Sequence, residues 1–195
     1  MGADQIRDAA LMYFASHGYE GTSLREIAEE AGIKKPSIYA HYKGKEDLFI
    51  QVVRYAFEQE QRNLLELFRK QGEAPLQERM KALLIWLNEE YSSNPAAKFM
   101  LRVAYFPPAS LQGEIMDIVY PFLDRLERGI TRLIQREIAE GKLGQLDPQQ
   151  AAIALMTLLD GVIVELLYAG SKPYFRRLEA AWPIFWKGLE AAGNE

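Results

Sequence analysis

Between Ile33 and Lys45 the chain carries four lysines (Lys34, Lys35, Lys43 and Lys45), one histidine (His41) and no acid. The protein around this segment is acidic, with a net charge of −4 over 195 residues. Cations gathered at one end of a helical segment neutralise phosphates, and this local excess is the electrostatic footprint of a nucleic-acid backbone contact. The alternative is a solvated charge run on a three-helix core. Because the whole chain is acidic, any nucleic-acid binding must come from this patch and not from the surface at large.

The segment needs rigid elements to present it. Ser23 and Glu26 have the S-x-x-E spacing of a capping box, which satisfies free backbone N–H groups at a helix start. Leu24, Ile27, Ala28 and Ala31 follow at helical spacing and give one apolar face. Gly32 supplies the left-handed conformation that ends a helix, and Ile33 plugs the turn. Pro36 suits the first turn of a second helix, on which Ile38, Ala40 and Tyr42 continue the apolar pattern. Two helices about a tight turn make a helix-turn-helix, Thr22 to Lys45. Ala3–His17 reads as a preceding helix with Ile6, Ala9 or Ala10, Tyr13 and Phe14 inward and Gly18 at its end.

The runs Phe14–Ser23, Ile27–Ile33 and Ile38–Leu48 together resemble the DNA-binding domain of the TetR family of transcriptional regulators. The likeness runs from about Asp4 to Val53, about a quarter of the chain, and is specific in order and spacing. With the second short helix in the major groove, its exposed N-terminal residues Lys35, Pro36, Ser37 and Tyr39 are expected to read bases, with Arg25 as a further reader. Thr22, Tyr39, His41, Lys43 and Lys45 are expected on phosphates, which fix register without specifying sequence. The resemblance implies that Tyr39, His41 and Lys45 hold usual contact positions. It also implies a serine cap where this chain has Lys34, so the helix loses a cap and the interface gains a charge.

Other chemistry finds little support. Without Cys there is no disulfide, thiolate site or thiol nucleophile, and His17 and His41 are the only imidazoles. No phosphate-binding glycine loop or spaced carboxylate motif is present, so no catalytic residue, metal site or cofactor is assigned. The N-terminus lacks a signal-peptide apolar run, and the most apolar window, Ala151–Gly170, is broken by Asp160 and Glu165. A cytoplasmic protein with no membrane partner is expected.

The remaining chain reads as helices only: Lys45 to about Gln71, Leu76–Tyr91, Ala96–Phe106, about Ser110–Ile138 bent or divided at Pro121, Pro148 to about Ala169, and Pro173–Ala192 kinked at Pro183. The fold class is all-α: an N-terminal three-helix helix-turn-helix DNA-binding domain, residues 1–47, and a C-terminal helical ligand-binding and dimerisation domain, residues 48–195. The helix over 151–168 is apolar on almost every face and needs cover on both sides. Met156, Leu159 and Ile163, with Trp182, Phe185 and Trp186 of the last helix, are therefore expected to pack against a second copy, the bland alternative being burial within one chain. The resemblance implies the same dimerisation through the last two helices. A homodimer sets two reading heads about 34 Å apart on a palindromic duplex operator.

Trp86, Phe99, Met100, Tyr105, Met116 and Tyr120 are candidates to line an apolar cavity. The resemblance implies a small-molecule effector there, with release of repression as its consequence; composition suggests an apolar or aromatic ligand. The competing reading is an all-α small-molecule carrier or sensor without specific DNA binding.

Overall fold

The computed structural model describes residues 2–191, and every regular element among them is helical. The elements are α1 (Ala3–His17), α2 (Leu24–Glu30), α3 (Lys35–Ile38), α4 (Lys45–Gln71), α5 (Leu76–Ser93), α6 (Pro95–Tyr105), a 3₁₀ turn (Ala109–Leu111), α7 (Gln112–Ala139), α8 (Pro148–Ala169) and α9 (Ser171–Ala191). They form two compact units. The first comprises Met1–Leu65 and Glu90–Pro121, the second Glu66–Glu89 and Phe122–Glu195.

In the first unit α1 packs on α2 and α6, and α2 on α3. Ile6, Ala10, Leu11 and Phe14 of α1 are buried, as are Leu24, Ile27, Ala28 and Ile38. Phe49 of α4 is the hub of an aromatic cluster. Its ring meets Phe14 edge-on at 4.8 Å, Tyr19 at 4.9 Å and Phe99 of α6 at 5.6 Å, the geometry aromatic quadrupoles favour. Arg7 places its guanidinium 3.7 Å above the Tyr55 ring and pairs with Asp4 and Asp8, which holds α1 along α4.

The second unit is dominated by the pair α8 and α9. Asp147 caps α8 by accepting from the N–H groups of Gln149 and Gln150. Gly170, at φ 82°, turns the chain into α9, and only a residue without Cβ adopts that angle freely. Leu155, Leu159, Val162, Ile163 and Leu166 of α8 and Tyr174, Leu178, Trp182, Trp186 and Leu189 of α9 are buried. Tyr174 is fully buried and its hydroxyl donates to the Leu84 carbonyl of α5. Alone among the described helices, α8 is long and apolar enough to cross a membrane, but nearly half of its apolar window is buried in the fold, and Asp160 and Glu165 interrupt it.

Expectations at two prolines are corrected. Pro121 does not divide the 110–138 region: α7 is one helix, and Pro121 and Asp117, whose carbonyl the proline cannot bond, are both exposed residues. Pro183 lies inside α9, which continues past it. The last helix begins at Ser171 and not at Pro173, because proline in a first turn removes a donor that has no helical partner. Its expected end, Ala192, lies outside the described residues.

Candidate nucleic-acid interface

The helix-turn-helix is built as its spacing requires. The Ser23 side chain accepts from the Glu26 N–H, and the Ser23 N–H donates to Glu26 Oε2 at 2.8 Å, closing the capping box. The Ser23 hydroxyl, donating to Glu26 Oε2 at 2.7 Å, and then the Ser23 N–H hold the Glu26 carboxyl below the usual carboxylate range, since both favour its charged form. Gly32 takes φ 67° after α2, and the Ile33 N–H returns to the Ala28 carbonyl.

The second helix is shorter than its apolar pattern predicts. It spans only Lys35–Ile38, and Tyr39 to His41 form a turn. Ile38 is fully buried and Tyr42 is 8% exposed, its hydroxyl donating to the Ala3 carbonyl at 3.0 Å. These two anchors draw the turn against the core, so Ala40, expected on the apolar face, is exposed. Lys34 occupies the cap position and makes no capping hydrogen bond.

The segment therefore projects a continuous polar surface. Lys34, Lys35, Pro36, Ser37, Tyr39, His41 and Lys43 are all exposed. Among the described residues no acid forms an ion pair with Lys34, Lys35 or Lys43. Lys45 opens α4 and is half-buried, with its ammonium 4.3 Å above the Tyr19 ring. Arg25 is exposed and bonded to Glu29 at 2.8 Å, a surface pair weak enough to exchange for another acceptor.

Thr22 departs from the expected set. It is 2% exposed, and its hydroxyl donates to the Gly18 carbonyl at 2.8 Å, so it secures the α1–α2 corner and has no surface to offer a phosphate.

The two other groups of candidate residues are placed differently. Phe99 and Met100 are core residues of the first unit, and Tyr105 and Met116 are half-buried there. Tyr120 points outward at 61% exposure, which removes it from an interior lining. Trp86 is half-buried in the second unit. Met156, Leu159, Ile163, Trp182 and Trp186, expected against a second copy, are already buried within the single chain, and Phe185 is half-buried. Within α9, Trp182 and Trp186 stack at 5.7 Å. The apolar residues left open are others: Ile153, Val164 and Tyr168 on α8 and Ile184 on α9.

Sequence reasoning missed Glu60, a buried acid of α4. A signal was available, because Glu60 lies seven residues after Val53, four after Ala56 and three after Phe57, on the apolar stripe of its helix.

Geometry thus defines an all-helical protein with a helix-turn-helix head that exposes an unpaired basic turn. Residues 6–52 match the family model for bacterial regulatory proteins of the tetR family. Over 54 residues the chain is 41% identical to the biofilm operon icaADBC HTH-type negative transcriptional regulator IcaR of Staphylococcus epidermidis. It is 40% identical over 55 residues to IcaR of Staphylococcus aureus. These matches span 28% of this chain and only 29–30% of those relatives. Across almost the whole chain the fold is similar to a TetR-family regulator from Mesorhizobium loti, with a TM-score of 0.76, 25% identity and 95% of each chain covered. The fold alone is shared with a Bacillus subtilis FadR solved with stearoyl-CoA, at TM-score 0.67 and 19% identity over 98% of this chain and 99% of that one. The head, residues 6–52, thus matches the DNA-binding domain of the TetR family, and the named relatives that share it are transcriptional regulators.

Proposed function

We propose that the protein is a homodimeric DNA-binding repressor, released from a palindromic operator by a small ligand. The observation that carries the reading is the exposed, acid-free turn from Lys34 to Lys43 on a capped and anchored head. Lys35 donates to guanine edges, Ser37 and Tyr39 contact the neighbouring bases or sugar-phosphate, and Lys34, His41, Lys43 and Lys45 hold phosphates. Residues 1–47 serve as the DNA-binding domain and 48–195 as the ligand-binding and dimerisation domain. A cytoplasmic location follows from acting on the operator.

The second copy packs on the open faces of α8 and α9. Ile153, Thr157, Gly161, Val164 and Tyr168 fall on one exposed stripe at helical spacing, and Ile184 is 75% exposed. A Cβ added at Gly161 or Gly188 would meet nothing within 4 Å, so both positions leave room for another helix to approach.

The ligand shifts the head only by binding one arrangement of the protein better than the other. Two contacts tie α1 to the ligand-binding part: Arg102 of α6 donates to the Ala15 carbonyl at 3.3 Å, and Phe49 is shared between Phe14 and Phe99. Half-buried Tyr105 and Met116 suit an apolar or aromatic ligand body.

Selection from a random duplex library at several salt concentrations tests the reading. The wild type is expected to enrich a palindrome, and the Lys35→Ala, Tyr39→Ala double variant to lose it, each contact being worth about 1–3 kcal/mol. Weak binding that is blind to sequence and unchanged in the double variant would overturn it and favour a carrier or sensor.

A further inference from the structure

Among the described residues, Glu60 is the one carboxyl group that is buried, at 2% exposure. Its Oε2 accepts from Asn63 Nδ2 at 3.4 Å, long for a hydrogen bond, and its Oε1 has no partner. Glu90, half-buried on α5 in the same unit, is the charged group that acts on it. Glu90 in turn accepts from Asn94 Nδ2 at 2.8 Å. Each of the two carboxyls thus has an asparagine amide as its donor.

A buried carboxylate without a compensating cation is costly, and a half-satisfied polar group is costlier than an apolar one of the same shape. Burial first, and repulsion from Glu90 second, push the Glu60 carboxyl up to about 7. At neutral pH it therefore holds its proton in a large share of molecules. A ligand that brings its own positive charge and N–H donors replaces that proton, satisfies Oε1 and screens the two acids from each other. A metal ion fits less well, because no group of three or more His, Cys, Asp or Glu side chains is gathered among the described residues.

We propose that Glu60 and Glu90 form the receptor for a protonated amine on the effector, the ammonium donating to Oε1 of Glu60 and lying between the two carboxyls. This rests on the ligand-responsive reading above and sharpens its ligand class from an apolar or aromatic body to one that carries an amine. On binding to the acid form of Glu60, one proton leaves to solvent.

Calorimetry on the full chain without DNA tests it with 4-phenylbutylamine, 4-phenylbutan-1-ol and 4-phenylbutyrate, at pH 6 and pH 8 in buffers of different ionisation enthalpy. The amine is expected to bind at least about tenfold more tightly than the alcohol, as a charge-assisted hydrogen bond demands. Its affinity should rise from pH 6 to pH 8, with proton release at pH 6, and the acid should not bind. Glu60→Gln should abolish the preference for amine over alcohol and its pH dependence. If that variant does not fold, Glu90→Gln must weaken the same preference. Equal binding of amine and alcohol, no binding of the amine at millimolar concentration, or an unchanged preference in the folded variants would overturn the proposal. The duplex selection is run separately, so loss of operator binding with amine binding intact defeats the repressor reading alone, and the reverse result defeats the amine receptor alone.

Discussion

The basic turn after α2 and the α8–α9 pair are opposite solutions to positioning side chains. The turn keeps two anchors, Ile38 and Tyr42, and exposes nearly everything else between Lys34 and Lys43. The pair buries its large side chains and leaves out single apolar residues at intervals. In the turn, identity carries the chemistry and packing only aims it. In the pair, packing is the chemistry, and what matters for a partner is which face remains uncovered. Substitutions in the two regions should therefore separate stability from recognition.

The largest expected effect lies in the pair. Trp182 is 4% exposed and its ring contacts both Phe185 and Trp186. Trp182→Ala removes a buried aromatic side chain and should cost about 3–5 kcal/mol in denaturant unfolding. Lys35→Ala, at an exposed position, should change stability by no more than about 0.5 kcal/mol while weakening DNA binding. Comparable stability losses in the two variants would erase the distinction between the regions.

A smaller effect on the chain, but a visible one on assembly, is expected at Ile184. At 75% exposure it contributes little to the single chain, so Ile184→Asp should leave the unfolding midpoint almost unchanged. A charge buried in a two-fold interface meets its own copy, so the variant should sediment near 22.3 kDa where the wild type sediments near twice that mass. Affinity for a palindrome should fall with the loss of bivalency, while contact with a half-site survives. A variant that stays dimeric would move the interface away from the open face of α9.

How much was legible follows the same division. The capping box, the Gly32 turn, the proline in the first turn of α3 and the all-helical class are local features, set by backbone donors and φ values that neighbouring residues determine, and each is visible in sequence. The candidate surface was legible because charge excess needs no partner to be recognised. Thr22 was misread because its nearest acceptors, the carbonyls of Gly18 and Tyr13, appear only once the corner closes. Helix α3 is shorter than its apolar pattern because the periodicity of Ile38 and Tyr42 fits a turn that packs inward as well as a helix. On α8 an apolar residue at nearly every position hides the phase, so Met156, Leu159 and Ile163 could not be told from Ile153, Val164 and Tyr168 until α9 was in place. Glu60 was overlooked because its neighbours Glu58, Gln59 and Gln61 make the stretch look solvated, although its helical phase is that of the core.

The smallest effect is expected where the head's local order meets its function, at Ser23. The side chain satisfies the Glu26 N–H, and Glu26 reaches back to the Ser23 N–H and hydroxyl. Ser23→Ala leaves the Glu26 N–H to water and removes one of the bonds that favour the charged Glu26 carboxyl, which should therefore titrate closer to its ordinary range. The cost should be about 1 kcal/mol, or about 2–4 °C in melting temperature for a chain of this size. Because α2 carries the turn into α3, fraying at its first residues should weaken operator binding severalfold without changing the selected sequence. Ser23→Asp keeps an acceptor at the cap and should restore both properties. A melting temperature and operator affinity unmoved by Ser23→Ala would mean that packing of Leu24, Ile27 and Ala28 alone orders the head, and the turn would then owe its position to its core anchors and not to the cap.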